Sequence, residues 1–358
     1  MSLRDSSGRI VLTAATCWPE VRRGGERYVH ELASALRRAG HDVRIVSTSP
    51  TASFDQVLDV PVQRLRRRAL PRYGELGAEV AFGMQALAAI GWRRFDVWHA
   101  TSTADAAAAA QLCRMRSARS VFTDHGFPAA RSRGRRADAR LHRQVVRRVN
   151  DYVCVSAAAG AYLRKDYGRE PVVVPPGVEV NAYRPAPRRR EPTLLYAGSL
   201  SESRKGLPLL ADAVRVLRRS VPSLRLELYG QGIPPDRVAA TADVCRLSAP
   251  GELAQRYAEA WVTVLPSTAE AFGMVLTESL AAGTPVVALA DGGGPAEIIT
   301  PEVGRLADGT ADSLADACCE ALMLATMPGT ADACRARAEL FDWDRAVVPR
   351  LVEVYAGD

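Results

Sequence analysis

The stretch STAEAFGMVLTES, residues 267–279, decides the reading of the chain. It follows the strand-like run WVTVLPS and precedes GTPVVALADGG, so it is the loop and helix between two apolar strands. Its apolar centre predicts a helix from about Gly273 to Gly283, leaving Glu270 in the loop before it and Glu278 in its second turn. The two carboxylates therefore cannot share one helical face. If the free N–H groups of the first turn hold an anion, Glu270 reaches one side of that ligand and Glu278 the other. At ~1.5 Å per residue, Glu278 lies roughly 8 Å along from the anion. That span suits a ligand with a phosphate in its middle and a polar group at each end.

Strand and helix patterns alternate on either side. RIVLTAA reads as a first strand, and Gly25-Glu26 opens a helix with Tyr28, Leu32, Ala35, Leu36 and Ala39 at helical spacing; Gly40 stops it before the next strand, HDVRIVST. FDVWHA, RSVFTDHG, DYVCVS and PVVVPPG continue the strands of the first half, and the alanine-rich ADAAAAAQL has good helix propensity. PTLLYAGSL, LRLELYGQG, WVTVLPS and GTPVVALADGG supply those of the second. Such alternation predicts an α/β chain of two doubly wound, mostly parallel sheets. Ligands of these sheets bind outside the carboxyl ends of the strands. Gly24-Gly25, His99 and His125 in the first half, and Gly198, Arg204-Lys205-Gly206 and Glu270 in the second, fall at such ends and are expected to face one crevice between the domains.

The bulk composition fits this picture. A chain of 358 residues, 47% hydrophobic and 24% charged, can bury a large core and more readily makes two domains than one. No run approaches the ~20 apolar residues of a membrane helix, and no long apolar region follows a basic start. Seven scattered cysteines without a Cys-x-x-Cys pair indicate free thiols in a reducing cytoplasm. The net charge of +7 conceals a division: residues 1–190 carry 33 Lys and Arg against 17 Asp and Glu, whereas residues 191–358 carry 14 against 23. The proline-rich, charged RPAPRRREP (184–192) marks the boundary, giving expected domains of 1–186 and 187–340 and a C-terminal helix, 341–358, that crosses back to the first.

Lysine usage sharpens the site. Only Lys165 and Lys205 are lysine among the 47 basic residues, and Lys205 lies just before Gly206 and a helix. There a compact ammonium can meet a phosphate as a point charge. Asp342-Trp343-Asp344, the one Asp-x-Asp, precedes a helix near the C-terminus and reads as a helix cap rather than a metal site.

Taken together, GGERYVHELASALRRAGHDV, VVVPPGVEVNAYRP, LLYAGSLSESRKGLPLLADAV, LYGQGIP, VLPSTAEAFGMVLTESLAAGTPVVALADGGGPAEII and FDWDRAVVPRLVEVY resemble the retaining glycosyltransferases of family 4, which have the GT-B architecture: two Rossmann-like domains facing an interdomain cleft. The resemblance runs through nearly the whole chain. It implies transfer of a hexose-type sugar from a nucleoside-diphosphate-sugar donor to a small-molecule acceptor, in secondary metabolism, with no metal or other cofactor. It further implies that Glu278 binds the ribose hydroxyls and Glu270 the donor sugar; that backbone N–H groups at Phe272, Gly273, Met274 and Val275 meet sugar and phosphate; and that Arg204 and Lys205 neutralise the leaving diphosphate. Gly24 and Gly25 would let a first-domain loop approach the transferred sugar, and His125 would touch that sugar. The chain departs from the family at Ser199, where Gly-Arg-Leu is usual, and Arg204 is the residue that would compensate. LTES replaces the commoner Leu-Glu-Ala but leaves Glu278 in place.

Other classes fit less well. The basic stretches 64–72 and 131–148 lack the interleaved aromatics and groove-reading motif of a nucleic-acid binder. An epimerase, or a nucleotide-sugar-binding protein that has lost catalysis, conflicts with the family match and with the intact Glu270, Glu278 and Lys205. A membrane-surface role with a glycolipid product is the remaining alternative. Residues 131–148 offer only Leu141, Val145 and Val146, with Val149 just beyond, as sizeable apolar side chains and no Trp or Phe to insert, so only weak, salt-screened adsorption is expected.

Overall fold

A computed structural model describes residues 7–21, 24–68, 74–126, 136–245 and 251–357. The chain forms two compact units, Met1–Gly177 with Trp343–Asp358, and Val178–Asp342. The division lies at Gly177/Val178, nine residues before the expected 186/187. The reason is that Val178 bridges to Asp342 and donates its N–H to the Phe341 carbonyl (2.8 Å), so the chain enters and leaves the second unit side by side. Arg335 holds the next turn to that unit by donating to the Tyr183 carbonyl (2.8 Å).

In the first unit, strands β1 (Arg9–Thr13), β2 (Asp42–Ser49), β3 (Ser53–Val57), β4 (Val60–Arg66), β5 (Val97–Ala100), β6 (Arg119–Asp124), β7 (Asp151–Cys154) and β8 (Val172–Val173) form one sheet in the order β3-β4-β2-β1-β5-β6-β7-β8. All neighbours are parallel except β3 and β4, a hairpin that the sequence reading did not anticipate. Helices α1 (Gly24–Arg38), α2 (Gly74–Ile90), α3 (Thr103–Arg116), α4 (Arg136–Arg148) and α5 (Ala157–Tyr167) provide the crossovers. One face of the sheet carries a core of Ile10, Leu12, Val43, Ile45 and Val62 with Tyr28, Leu32 and Leu36 of α1 and with Trp343, Leu351 and Tyr355 of the C-terminal segment. The other face packs Trp98, Phe122 and Tyr152 against Phe82, Ala106 and Val145. Val145, Val146 and Val149 are buried while Arg140, Arg143 and Arg147 are exposed, so the aliphatic stripe of α4 serves the core. Residues 69–72 and 131–135 of the two basic stretches lie outside the described residues.

The second unit is a six-stranded parallel sheet of β9 (Thr193–Ala197), β10 (Arg225–Tyr229), β11 (Asp243–Cys245), β12 (Val262–Leu265), β13 (Val286–Leu289) and β14 (Gly304–Ala307), ordered β11-β10-β9-β12-β13-β14. Its helices are α6 (Leu207–Leu217), α7 (Asp236–Ala239), α8 (Glu252–Glu259), α9 (Met274–Ala281), α10 (Pro295–Ile298), α11 (Ala311–Thr326) and α12 (Thr330–Glu339). Strands β9, β12 and β13 are buried on both faces, as near-continuous runs such as TLLYA and VVAL require. The last helix, α13 (Val348–Ala356), belongs to the first unit. Both sheets have a topological switch point where strand order reverses: β1/β5 in the first and β9/β12 in the second. The carboxyl ends there are the usual place for a ligand. All seven cysteines are free. Among the described residues, no helix is long and apolar enough to cross a membrane.

Candidate active site

The second switch point brings Arg204, Lys205 and Glu270 together. The loop after β9 ends in a helical turn, Ser203–Lys205, and the loop after β12 carries Glu270. The Lys205 Nζ donates to Glu270 Oε2 at 2.8 Å, with both side chains 15% exposed. Arg204 lies 3.5 Å from the same carboxylate oxygen and is held by Glu202 at 2.5 Å. The two loops are also joined through backbone, because Thr268 N–H donates to the Arg204 carbonyl (2.9 Å). Gly206 follows in a left-handed conformation (φ 69°), with its Cα against the Pro266 carbonyl. A Cβ there would fall inside 3.0 Å of that oxygen, so glycine is required for the two loops to approach.

Glu270 sits between two fixed neighbours. Ala269, before it, is one of the few non-glycine residues with positive φ (50°). After Phe272, buried edge-on against Phe341 at 5.5 Å, Gly273 (φ 99°) opens α9. The helix begins at Met274 and ends at Ala281, close to the expected span, and Gly273 offers no side chain to cap it. The first-turn N–H groups at Met274 and Val275 thus end a helix whose dipole favours an anion. Glu278 is only 1% exposed, and the Tyr257 hydroxyl of α8 donates to its Oε2 at 3.1 Å. Where Arg is usual in the resembled family, Ser199 uses its carbonyl to accept from Tyr196 (2.8 Å). Burial, augmented by the charges of Glu270 and Glu202, raises the Tyr196 hydroxyl above its usual range and keeps it a donor.

In the first unit, His125 directly follows β6, and its ring packs edge-on against Tyr28 of α1 (4.5 Å, 73°), one turn beyond Gly24-Gly25. A Cβ on Gly25 would meet nothing within 4 Å, so the protein's own packing does not demand glycine there. The fold also ties the β1 loop to this helix start through Thr16, which donates to Glu26 at 2.6 Å. His99, expected at the crevice, belongs instead to the core. It is fully buried inside β5, with Nδ1 2.7 Å from the Tyr355 hydroxyl and Nε2 2.6 Å from Thr123 Oγ1. Burial pushes its pKa down to about 3, which suits a neutral, doubly bonded imidazole. Asp344 of the Asp-x-Asp is engaged by Arg38 at 2.9 Å. Among the described residues, no group of three His, Cys, Asp or Glu is arranged to hold a metal ion.

Known proteins share this chain's family and fold. The family model described as Glycosyltransferase Family 4 matches residues 22–182, and that described as Glycosyl transferases group 1 matches residues 191–323. A D-inositol 3-phosphate glycosyltransferase of Pseudarthrobacter chlorophenolicus is 30% identical over 381 aligned residues, covering 92% of this chain and 89% of that enzyme. The similarly named protein of Segniliparus rotundus is 29% identical over 46% of this chain and only 42% of its own length. Among solved structures, sucrose-phosphate synthase of Thermosynechococcus elongatus superposes with a TM-score of 0.81 at 21% identity, covering 97% of this chain and 98% of that one. The Anabaena protein HepE in complex with UDP gives 0.76 at 17% identity, covering 98% and 100%. The chain belongs to glycosyltransferase family 4 and has the GT-B fold of two parallel-sheet, Rossmann-like units. It is a glycosyltransferase.

Proposed function

We propose that the protein is a retaining glycosyltransferase that moves a hexose-type sugar from a nucleoside-diphosphate-sugar to a small polyol or other small-molecule acceptor. The observation that carries this reading is the Lys205–Glu270 pair at the β9/β12 switch point, with Arg204 beside it and the start of α9 at Met274. Breaking the sugar–phosphate bond places negative charge on the departing diphosphate. Lys205, Arg204 and the α9 N-terminus are assigned its stabilisation, a task of fixed donors and dipoles. Glu270 is assigned to sugar hydroxyls and Glu278 to the ribose. They are not a glycosidase pair, which would flank one bond with two carboxylates. The acceptor attacks on the face that the phosphate leaves, and its proton passes to the leaving phosphate oxygen, so the anomeric configuration is retained. The reaction as proposed has no metal step. His125, Gly24 and Gly25 are assigned to the transferred sugar.

The acceptor named for the family relatives makes inositol 3-phosphate the first to try. The test is incubation with UDP-, GDP- and ADP-linked hexoses, following free nucleotide with and without that acceptor and with anionic vesicles at ~0.15 M salt, where surface charge is screened within ~8 Å. Acceptor-dependent release that Glu270→Ala abolishes, while free nucleoside diphosphate still binds, is the expected result. Nucleotide binding without transfer to any acceptor would favour a binding protein, sugar isomerisation an epimerase, and transfer only on vesicles a glycolipid product.

A further inference from the structure

We infer that the turn 291–294 after β13 sets the backbone of Glu270, and that Asp291 is the positioning residue that fixes it; this rests on the reading of Glu270 as the sugar-binding carboxylate. Four observations converge on one loop. The Asp291 carboxylate accepts from Ala269 N–H at 2.6 Å and, through its other oxygen, from Gly293 N–H at 3.1 Å. The Glu270 carbonyl accepts from Gly294 N–H at 3.0 Å. A Cβ on Gly293 would lie 2.5 Å from the Glu270 carbonyl oxygen, and one on Gly294 inside 3.0 Å of the Ala271 carbonyl and the Phe272 Cα. Finally, Ala269 holds the left-handed conformation (φ 50°), which its Cβ disfavours.

These contacts divide the control of Glu270 between two sides. Its carboxylate is met by Lys205 from the β9 loop, whereas its main chain lies in the cradle of the β13 loop. A carboxylate that must meet particular hydroxyls needs its Cα fixed as well as its charge balanced, since small displacements at a reacting centre are costly. Ala269 alone would leave the left-handed region readily. The charge-assisted bond from its N–H to Asp291 opposes that escape. Asp291 and Ala269 are both exposed, so water competes for the bond and the expected effect is moderate.

The test uses the full chain with Asp291→Ala, Asp291→Asn and the double variant Asp291→Ala/Ala269→Gly, alongside Glu270→Gln. Asp291→Ala is expected to lower kcat roughly tenfold, the scale of one charge-assisted hydrogen bond. Its affinity for UDP should stay within about twofold, because Glu278 and α9 are untouched. Asp291→Asn keeps one acceptor oxygen and should retain most of the activity. Adding Ala269→Gly should return about threefold of the loss, as glycine holds the left-handed state without the bond; a general loss of fold would not be repaired this way. Amide exchange in peptides spanning 266–272 should quicken in Asp291→Ala and stay unchanged over α9. Unaltered exchange and kcat in Asp291→Ala overturn the inference whatever Glu270 does. Full activity in Glu270→Gln, by contrast, overturns the assignment of Glu270, and the exchange measurement then decides the role of Asp291 by itself.

Discussion

Replacing Gly206 by alanine tests the seam on which the site depends. Two costs are expected. The left-handed φ of 69° is unfavourable for any residue with a Cβ, by ~1–2 kcal/mol. In addition, the new methyl falls inside 3.0 Å of the Pro266 carbonyl, where ordinary contact begins at 3.4 Å, and overpacking of this kind costs ~1–3 kcal/mol. The offending atom is backbone, flanked by β12, and cannot swing aside as a side-chain tip can. The sum is a loss of about 2–5 kcal/mol. Gly309→Ala is the control: it has a φ of 92° in the same unit, but a Cβ there meets nothing within 4 Å, so only the first cost applies. Urea unfolding of the two variants should therefore separate them by about 1–3 kcal/mol. Gly206→Ala should also lose transfer activity, because the Thr268–Arg204 backbone bond and the Lys205–Glu270 pair both cross the widened seam. Equal losses of stability and unchanged turnover in the two variants would refute the close approach.

Three further outcomes follow from contacts elsewhere. Tyr257→Phe removes the hydroxyl donated to the buried Glu278 and should weaken nucleoside diphosphate binding by ~1.5–3 kcal/mol in calorimetry, with a smaller change in kcat. Lys205→Met leaves Glu270, 15% exposed, without its nearest cation; turnover should fall more than UDP affinity, and a variant as active as the parent would remove Lys205 from the reaction. Acid stability should reflect two buried groups of opposite sign. Burial holds the His99 pKa at about 3, below the ordinary 6.5, so only the unfolded chain takes up that proton, and stability falls by ~1.4 kcal/mol per pH unit below 6.5. Burial raises Asp105 to about 6 from 3.8, despite hydrogen bonds from Ser102 and Thr13; its penalty at neutral pH disappears as pH falls from 6 towards 4 and offsets His99. Asp105→Asn should expose the His99 slope, so that urea midpoints fall more steeply than in the parent between pH 6 and 4; parallel profiles would contradict this.

What the sequence made legible follows from how each feature is encoded. Strands such as TLLYA and VVAL are buried on both faces and read as short apolar runs, and α1 shows its core face at Tyr28, Leu32 and Leu36. The β3–β4 hairpin was hidden for two reasons. Leu58 and Asp59 both take positive φ without glycine, so the turn carries no usual signal. Strand β4 contains Arg64, a buried cation paired with Glu20 and Asp55, at the start of the basic stretch 64–72, which masks its strand character. Glu270, Glu278 and Lys205 stood out because their charge falls at strand ends and helix starts. Asp291 and Tyr257 did not, since an aspartate in a glycine-rich turn and a tyrosine at a helical core position are ordinary there. Their partners lie 22 and 21 residues away and meet them only once the sheet has formed.

The charge balance at the second switch point gives this arrangement a physical rationale on the proposed reading. Lys205 and Arg204 are met by Glu270 and Glu202, so two cations and two anions neutralise one another. Lys205, only 15% exposed, would pay a desolvation cost there without a counter-charge. A diphosphate that enters takes over the cations, and the carboxylate it displaces is released beside it. Glu270 then has hydroxyl donors of the sugar available in place of Lys205, so one exchange serves both ends of the donor. On the same reading, the 2.5 Å contact of Glu202 competes with the phosphate for Arg204. With serine at position 199, that competition acts, on the proposed reading, on the guanidinium assigned to the leaving phosphate. Glu202→Gln should consequently tighten UDP binding and lessen its dependence on salt, whereas unchanged affinity at low and high salt would show that Arg204 does not reach the phosphate.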